Sequence, residues 1–270
     1  MMCLHCLLQV SDAGSLVMAI VEIKIDAIEA FAEGNAFGEA GSYPRIKGIA
    51  KGELDPAAPG NSVIANLDKA PQNARGMIEY ETDFFILRPA EPRRTKGVLV
   101  YDVTNRGRKM IFNLLDDAPG NADTNDPKTA RDIGLAFTLG RGYTLVWSGW
   151  DSGAPRANNG MRSRLPPGLE NGEPIVRRIR DEFHIGTRAP GKGDVVRLNY
   201  LVISADQRRA RLTVRDQGDK PTEMPPECWE FIDHQTIRLL PVGTHFVPYR
   251  VERARRRFCR NPRPRLVPAL

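Results

Sequence analysis

Serines are the residues of this sequence that most directly suggest covalent chemistry. A serine nucleophile on a sharp strand-to-helix turn is flanked by glycines as Gly-x-Ser-x-Gly, and an acid and a histidine follow it along the chain. Ser148 and Ser152 are each followed by a glycine, but neither has a glycine two residues before it. The other serines lie in predicted turns or in a strand without such a turn: Ser11, Ser15, Ser42, Ser62, Ser163 and Ser204. We therefore identify no catalytic residue.

The histidines and cysteines do not predict a metal site. Cys3 and Cys6 form a Cys-x-x-Cys pair around His5, but such a pair needs a second pair of ligands or a strand-to-helix context. Cys228 and Cys259 are far apart in the sequence. The remaining histidines show no His-x-x-x-His or His-Glu-x-x-His spacing: His184, His234 and His245. The sequence predicts neither a metal nor a cofactor.

The positive charge belongs to the C-terminal end of the chain. Residues 250–270 hold eight arginines and one acid, a net +7, which leaves the other 249 residues at −1 of the total +6. The body of the protein therefore has no excess positive charge of the kind that binds a phosphate backbone, and we expect no nucleic-acid partner. The Arg/Pro-rich segment is predicted to be a disordered tail. A tail that binds an acidic partner is the alternative.

The N-terminal residues are not expected to belong to the folded domain. A helix needs a run of roughly 18–20 apolar residues to cross a bilayer, and no stretch of the chain approaches that length. No membrane span is therefore expected. The short apolar run from Met1 to Val10 lacks preceding basic residues and a clear cleavage site, which favours a cytoplasmic location over secretion. Met18 precedes a strand-like run and is a better natural start. Residues 1–20 are therefore expected to be disordered or an over-extended start.

Alternation of apolar and polar residues predicts three strands in the first part of the chain. Apolar and charged residues alternate from Val21 to Ile25, a pattern typical of a half-buried strand. Further strands are predicted at 46–54 and 77–87, separated by turn sequences such as Pro59-Gly60-Asn61. Because the connections are short, an antiparallel meander is expected.

The middle of the chain predicts a strand–helix–strand unit. Gly97 to Val103 is a nearly continuous apolar run, which is typical of a strand covered on both faces. Asp126 and Pro127 suit the N-cap and first position of a helix. A second buried strand is predicted at 142–147. Parallel pairing of the two strands follows from this order.

The composition after Trp150 returns to short strands and turns. Residues 155–245 are predicted to form a β-rich insertion on the central domain. Its strands are expected at 174–185, 194–203, 210–214 and 236–240.

Several blocks in a fixed order resemble a bacterial, mostly uncharacterised family of proteins with an α/β-hydrolase domain. The resemblance runs from about residue 21 to about residue 247. It rests on the blocks Phe37–Tyr43, Gly48–Pro56, Leu67–Gly76, Asp83–Pro89, Asn105–Lys109, Arg141–Asp151 and Thr236–Pro241.

The resemblance implies an α/β fold: an incomplete α/β-hydrolase-like domain over 21–249, with an antiparallel β-rich N-terminal part and the β-rich insertion. It also implies descent from serine-dependent ester or acyl hydrolases whose full-length members take a small ester-like substrate. Residues 104–109 would form the oxyanion-hole loop, with Asn105, Arg106 and Gly107 as candidate oxyanion or substrate-binding residues. The alternative is that Asn105 and Gly107 build a tight turn while Arg106 and Lys109 pair with nearby carboxylates.

The resemblance stops near Val247, before the position at which the family's nucleophile would come. We therefore expect a truncated or frameshifted product without a catalytic triad, whose exposed sheet edge favours self-association. A non-catalytic binding protein, which uses the β-rich surface or the basic tail, is the alternative function.

Overall fold

The computed structural model describes residues 18–183, 195–214, 220–240 and 265–268, the last four as backbone only. The predictions for residues 1–17 and for most of the tail lie outside the described residues. Two units divide the chain: unit 1 is Met1–Pro174 and unit 2 is Ile175–Leu270. Their boundary falls inside the β-rich insertion predicted for residues 155–245.

A mixed sheet is the framework of unit 1. Its main strands are β1 (Met18–Ala30), β2 (Pro44–Leu54), β3 (Ile78–Leu87), β4 (Leu99–Tyr101), β5 (Thr144–Ser148) and β6 (Ser163–Arg164). The order across the sheet is β1-β2-β3-β5-β4, and β6 pairs with β3. β2 pairs antiparallel with both β1 and β3, which is the predicted meander. The connections are longer than the sequence suggested, since they span residues 31–43 and 55–77. A separate hairpin is formed by β7 (Leu169–Glu170) and β8 (Glu173–Pro174).

β4 and β5 are the two ends of the predicted strand–helix–strand unit, and they pair in parallel as predicted. Between them lie α1 (Ile111–Leu115), α2 (Phe137–Gly140) and irregular chain. Single 3₁₀ turns make up most of the remaining helical structure of unit 1, at Phe31–Gly34, Gly38–Ala40, Pro59–Asn61, Leu67–Lys69, Pro92–Arg94, Ala130–Ile133 and Ala157–Asn159.

The predicted α/β-hydrolase-like architecture is wrong. That architecture covers both faces of a mainly parallel sheet with helices. The described residues contain only two α-helices, of five and four residues, and their strands form mixed and antiparallel sheets. β4 with β5 is the only parallel pair among the described strands.

The helix predicted from Asp126 is replaced by shorter turns. The Asp126 carboxylate accepts hydrogen bonds from basic side chains of β2 instead of capping a helix. A capping box of Thr129 and Asp132 starts a single 3₁₀ turn at Ala130–Ile133. Gly134 and Ala136 then have positive φ, and a right-handed helix cannot continue through left-handed residues.

The core of unit 1 lies on one face of its sheet. Phe85 and Leu87 of β3 and Leu145 and Trp147 of β5 are at most 2% exposed and meet there. The other buried side chains of this cluster come from the connecting segments: Phe31, Phe37, Tyr43, Ile111, Phe112, Ile133, Leu139 and Met161. The core therefore forms between one face of the sheet and the loops that cross it.

Unit 2 consists of short antiparallel strands. They are β9 (Asp181–Glu182), β10 (Val195–Arg197), β11 (Ala210–Val214), β12 (Thr222–Glu223), β13 (Trp229–Asp233), β14 (Thr236–Leu239) and β15 (Arg265–Pro268), with 3₁₀ turns at Gln207–Arg209 and Pro226–Cys228. They form two sheets, β10-β14-β13 and β12-β11-β15-β9. The buried cluster of this unit contains Leu198, Val202, Leu212, Trp229 and Ile237. The strands predicted at 210–214 and 236–240 are confirmed to within one residue.

Candidate functional site

The predicted oxyanion-loop residues form a tight turn just beyond the end of β4. Asn105 and Arg108 exchange two backbone hydrogen bonds, at 2.8 and 3.1 Å. Arg106 and Gly107 between them have φ of +49° and +86°, and positive φ at both central residues is the mark of a type I′ turn. A Cβ at Gly107 would lie 2.6 Å from the Met161 carbonyl oxygen, so only glycine fits there.

Arg106 ties this turn to the segment that follows β5. Its Nε lies 3.1 Å from Oδ2 of Asp151, which is 5% exposed. The other oxygen of Asp151 accepts a hydrogen bond from the Gly153 amide at 2.8 Å. These contacts match the alternative reading of the motif, a tight turn whose arginine pairs with a carboxylate. The oxyanion-hole role stays a prediction.

Ser148 and His234, which lie near strand ends, form hydrogen bonds with other groups and not with each other. The Ser148 hydroxyl at the end of β5 hydrogen-bonds the Tyr101 hydroxyl. Nδ1 of His234, the one histidine among the described residues, lies 2.8 Å from the Val202 carbonyl oxygen. His5, His184 and His245 lie outside the described residues. The described part of the chain therefore shows no hydrogen-bonded Ser–His pair.

A polar cavity of about 240 Å³ lies beside the tight turn, and we call it the Lys109 cavity. β2 and β3 supply one wall of it, and the rest comes from the segments around residues 109, 125 and 160, from Asp26 of β1 and from Arg164 of β6. Its charged and amide side chains are Asp26, Lys47, Asp83, Lys109, Asn125, Asp126, Asn159 and Arg164.

Lys109 is buried in the wall of this cavity and is 2% exposed. Its ammonium nitrogen donates to the Asn125 carbonyl oxygen and lies 4.3 Å from the centre of the Phe85 ring and 5.7 Å from that of Trp147. Among the described residues no carboxylate forms an ion pair with this nitrogen. Burial lowers the pKa of Lys109 to about 7, although the charge of nearby Asp126 partly opposes the shift. Near neutral pH the amine is therefore poised between its two protonation states.

Three cationic side chains surround Asp126 on the same side of the cavity. Its Oδ1 accepts hydrogen bonds from Arg45 at 3.0 Å and from Lys47 at 2.8 Å, and Lys128 lies 3.8 Å from its Oδ2. Burial disfavours the charged carboxylate, but the hydrogen bond from Lys47 and the nearby cations outweigh it, so the pKa of Asp126 is lowered. Arg45 also pairs with Glu29, and Asp26 lines the cavity as well, so the cations around Asp126 are balanced by carboxylates.

Arg164 provides a second hydrogen-bond donor at the cavity. Its Nη2 donates to Oδ1 of Asp83 at 2.9 Å. Its Nη1 is buried and has no hydrogen-bond partner among the described residues, although Glu81 lies 3.7 Å away. An unsatisfied buried donor is costly, and the residue that carries this one lines the cavity.

The sequence drew attention to only part of this site. Lys109 belongs to the Asn105–Lys109 block, and the alternative interpretation of that block paired it with a nearby carboxylate. Asp126 was interpreted as a helix cap. Asp83 begins another of the blocks but was given no role, and Arg164 stood out in no pattern. Strand pairing brings Lys47 of β2 next to Phe85 of β3, and no local pattern reveals such a neighbour.

Comparison with protein-family models, with curated proteins and with solved structures finds no match to this chain. Among the described residues, no three His, Cys, Asp or Glu side chains form a group that could hold a metal ion. None of the helices in that part of the chain is long and apolar enough to cross a bilayer.

Proposed function

We propose that unit 1 binds a small organic anion in the Lys109 cavity and that the chain acts as a binding protein. The observation that carries this proposal is Lys109, an almost fully buried amine at a cavity, whose nitrogen forms no ion pair with a carboxylate of the described residues. A buried charge is normally paired, because an unpaired one costs several kcal/mol, on the order of 3–5. An anionic ligand would supply the missing partner.

The rest of the cavity supports an oxygen-bearing anion. The Nη1 donor of Arg164 and the ammonium group of Lys109 are both donors, and charge-assisted bonds from such groups to carboxylate oxygens are short and strong. A volume of about 240 Å³ is at the small end for ligand pockets, which favours a compact ligand.

The test is calorimetric titration of the chain with succinate and with inorganic phosphate at pH 6. We expect binding that Lys109→Met weakens by about tenfold or more, since about 1.4 kcal/mol or more of charge-assisted bonding is lost. The affinity should also fall as pH rises from 6 to 8.5, because Lys109 then loses its proton. The matched control is Lys69→Met, which removes a partly exposed lysine that pairs with Glu170 and does not line the cavity. Equal affinity in the wild type and Lys109→Met would contradict the proposal.

A second candidate is serine-dependent ester hydrolysis, which the resemblance of the sequence implies. One observation favours it: the Asn105 turn lies just beyond β4, close to Ser148 at the end of the neighbouring strand β5. Turnover of a p-nitrophenyl ester, together with fluorophosphonate labelling lost in Ser148→Ala but kept in Ser152→Ala, would support it. A chain that is neither labelled nor active would reject it.

A further inference from the structure

The face of the unit 1 sheet opposite the core is apolar and open. The strand register places Ile23, Ile25 and Ile28 of β1 beside Ala50, Gly48 and Ile46 of β2. The pairing of β2 with β3 and of β3 with β5 continues this face across the sheet. We call the following set the open face: Ile23, Ile25, Ile28, Ile46, Phe84, Ile86, Leu99, Tyr101 and Val146.

The two faces of the sheet differ sharply in exposure. The side chains of the open face on the outer strands β1 and β4 are 40–62% exposed. On the core face, the apolar side chains of β3 and β5 are at most 2% exposed: Phe85, Leu87, Leu145 and Trp147. The members of the open face on the inner strands are only half-buried: Ile46, Phe84, Ile86 and Val146. Contiguous apolar surface of this extent on a folded protein marks an interaction site.

The paired charged side chains of β1 and β2 lie on the opposite side of the sheet from the open face. Glu22 and Glu29 of β1 pair with Lys51 and Arg45 of β2, and the register puts these four residues on the core side of the sheet. The registered positions of the open face carry no Asp, Glu, Lys or Arg. Alternation of this kind predicts a strand with one buried face, yet here the apolar face is the exposed one.

We propose that a second copy of this chain covers the open face, so that two sheets stack face to face in a two-fold dimer. Stacked sheets pack about 10 Å apart through apolar side chains. In a two-fold arrangement the same patch meets itself, and this patch is self-complementary because it carries no charge to repel its copy.

The size of the open face fits this occupant. The five strands contain 3 to 13 residues each, so they are about 10–43 Å long, and they lie about 4.8 Å apart; together they offer on the order of 600 Å² of face. Two copies would bury about 1,200 Å² in total, the lower end of specific, stable interfaces. Pairing through the β1 or β4 edge alone would leave the same apolar face in water, so it does not account for the pattern.

Sedimentation equilibrium of the full chain over about 1–100 µM tests the proposal. We expect a dimer of twice the 30.1 kDa chain mass. Ile23→Glu should weaken the dimer by about 100-fold or more, because two uncompensated carboxylates per dimer would enter an apolar interface. The matched control is Lys24→Glu, the next residue of the same strand on the other side of the sheet, which should leave the dimer unchanged.

A second variant distinguishes loss of the dimer from a folding defect in Ile23→Glu. Leu99→Glu at the far edge of the open face should weaken the dimer as well, and circular dichroism checks that each variant is folded. A wild-type monomer at about 100 µM would overturn the proposal, and so would a dimer insensitive to both variants. A monomer that Ile23→Glu strongly destabilises would also overturn it, because the cover would then come from within the chain.

Discussion

Lys109 carries an energetic cost in the folded protein that depends on pH. Its pKa is lowered from 10.5 to about 7 by burial, so between these values the unfolded chain binds one more proton than the folded chain. Stability should therefore rise with pH in this window, by up to about 1.4 kcal/mol per pH unit for one proton. Burial also raises the pKa of Tyr43 and Tyr80, which reverses the trend above about pH 10.

Urea unfolding at pH 7.5, 8.5 and 9.5 checks this prediction. The free energy of unfolding of the wild type should rise relative to that of Lys109→Met, because methionine fills the same site without a proton to bind. Lys69→Met should keep the wild-type slope. Parallel pH profiles for the wild type and Lys109→Met would show that Lys109 is not desolvated in solution.

At the scale of elements, Asp102 joins three parts of unit 1. Its Oδ2 accepts hydrogen bonds from the Met110 and Ile111 amides at 2.9 and 3.0 Å and from the Trp147 indole at 2.6 Å. It thereby holds the start of α1 against the end of β4 and the middle of β5. The segment between β4 and α1 carries the tight turn and Lys109, so this carboxylate positions one wall of the Lys109 cavity.

Asp102→Ala should lower the free energy of unfolding by about 2–4 kcal/mol, because it leaves several donors without an acceptor. It should also weaken anion binding, since Lys109 would lose its fixed position. Chemical denaturation and the same titrations measure both effects. Asp68→Ala, which removes an exposed carboxylate in a 3₁₀ turn, should change stability by no more than about 0.5 kcal/mol. Equal effects of the two substitutions would remove Asp102 from this role.

At the scale of the whole molecule, dimerisation through the open face would couple stability to concentration. A partner that binds only the folded chain stabilises it by mass action. The thermal midpoint of the wild type should therefore rise as the protein concentration increases from about 1 to 100 µM, whereas that of Ile23→Glu should stay constant. Differential scanning fluorimetry at several concentrations measures this, and a constant wild-type midpoint would argue against the dimer.

Local sequence patterns determined the strands and some of their pairings. The alternation in β1 to β3 and the order of β4 and β5 were sufficient to predict an antiparallel meander followed by a parallel pair. The α/β-hydrolase-like architecture was wrong because the described strands pair mostly antiparallel and only two short helices accompany them. The helix predicted from Asp126 is interrupted because Gly134 and Ala136 adopt positive φ. Nothing in the residue types near Asp126 distinguishes a helix cap from the partner of basic side chains on another strand.

The sequence by itself therefore determined the main strands of unit 1, that the tail alone holds the excess positive charge, and that no serine has a nucleophile signature. In unit 2 it was less successful, because the strands predicted at 174–185 and 194–203 are reduced to Asp181–Glu182 and Val195–Arg197 among the described residues. Only the tertiary structure decided which face of the sheet is buried and which chemistry meets at the cavity. The apolar side of β1 satisfies a period-2 pattern whether or not anything covers it, because alternation records a preference for burial and not the presence of a partner. Lys109 acquires its lowered pKa only when chain segments distant in sequence exclude water from it.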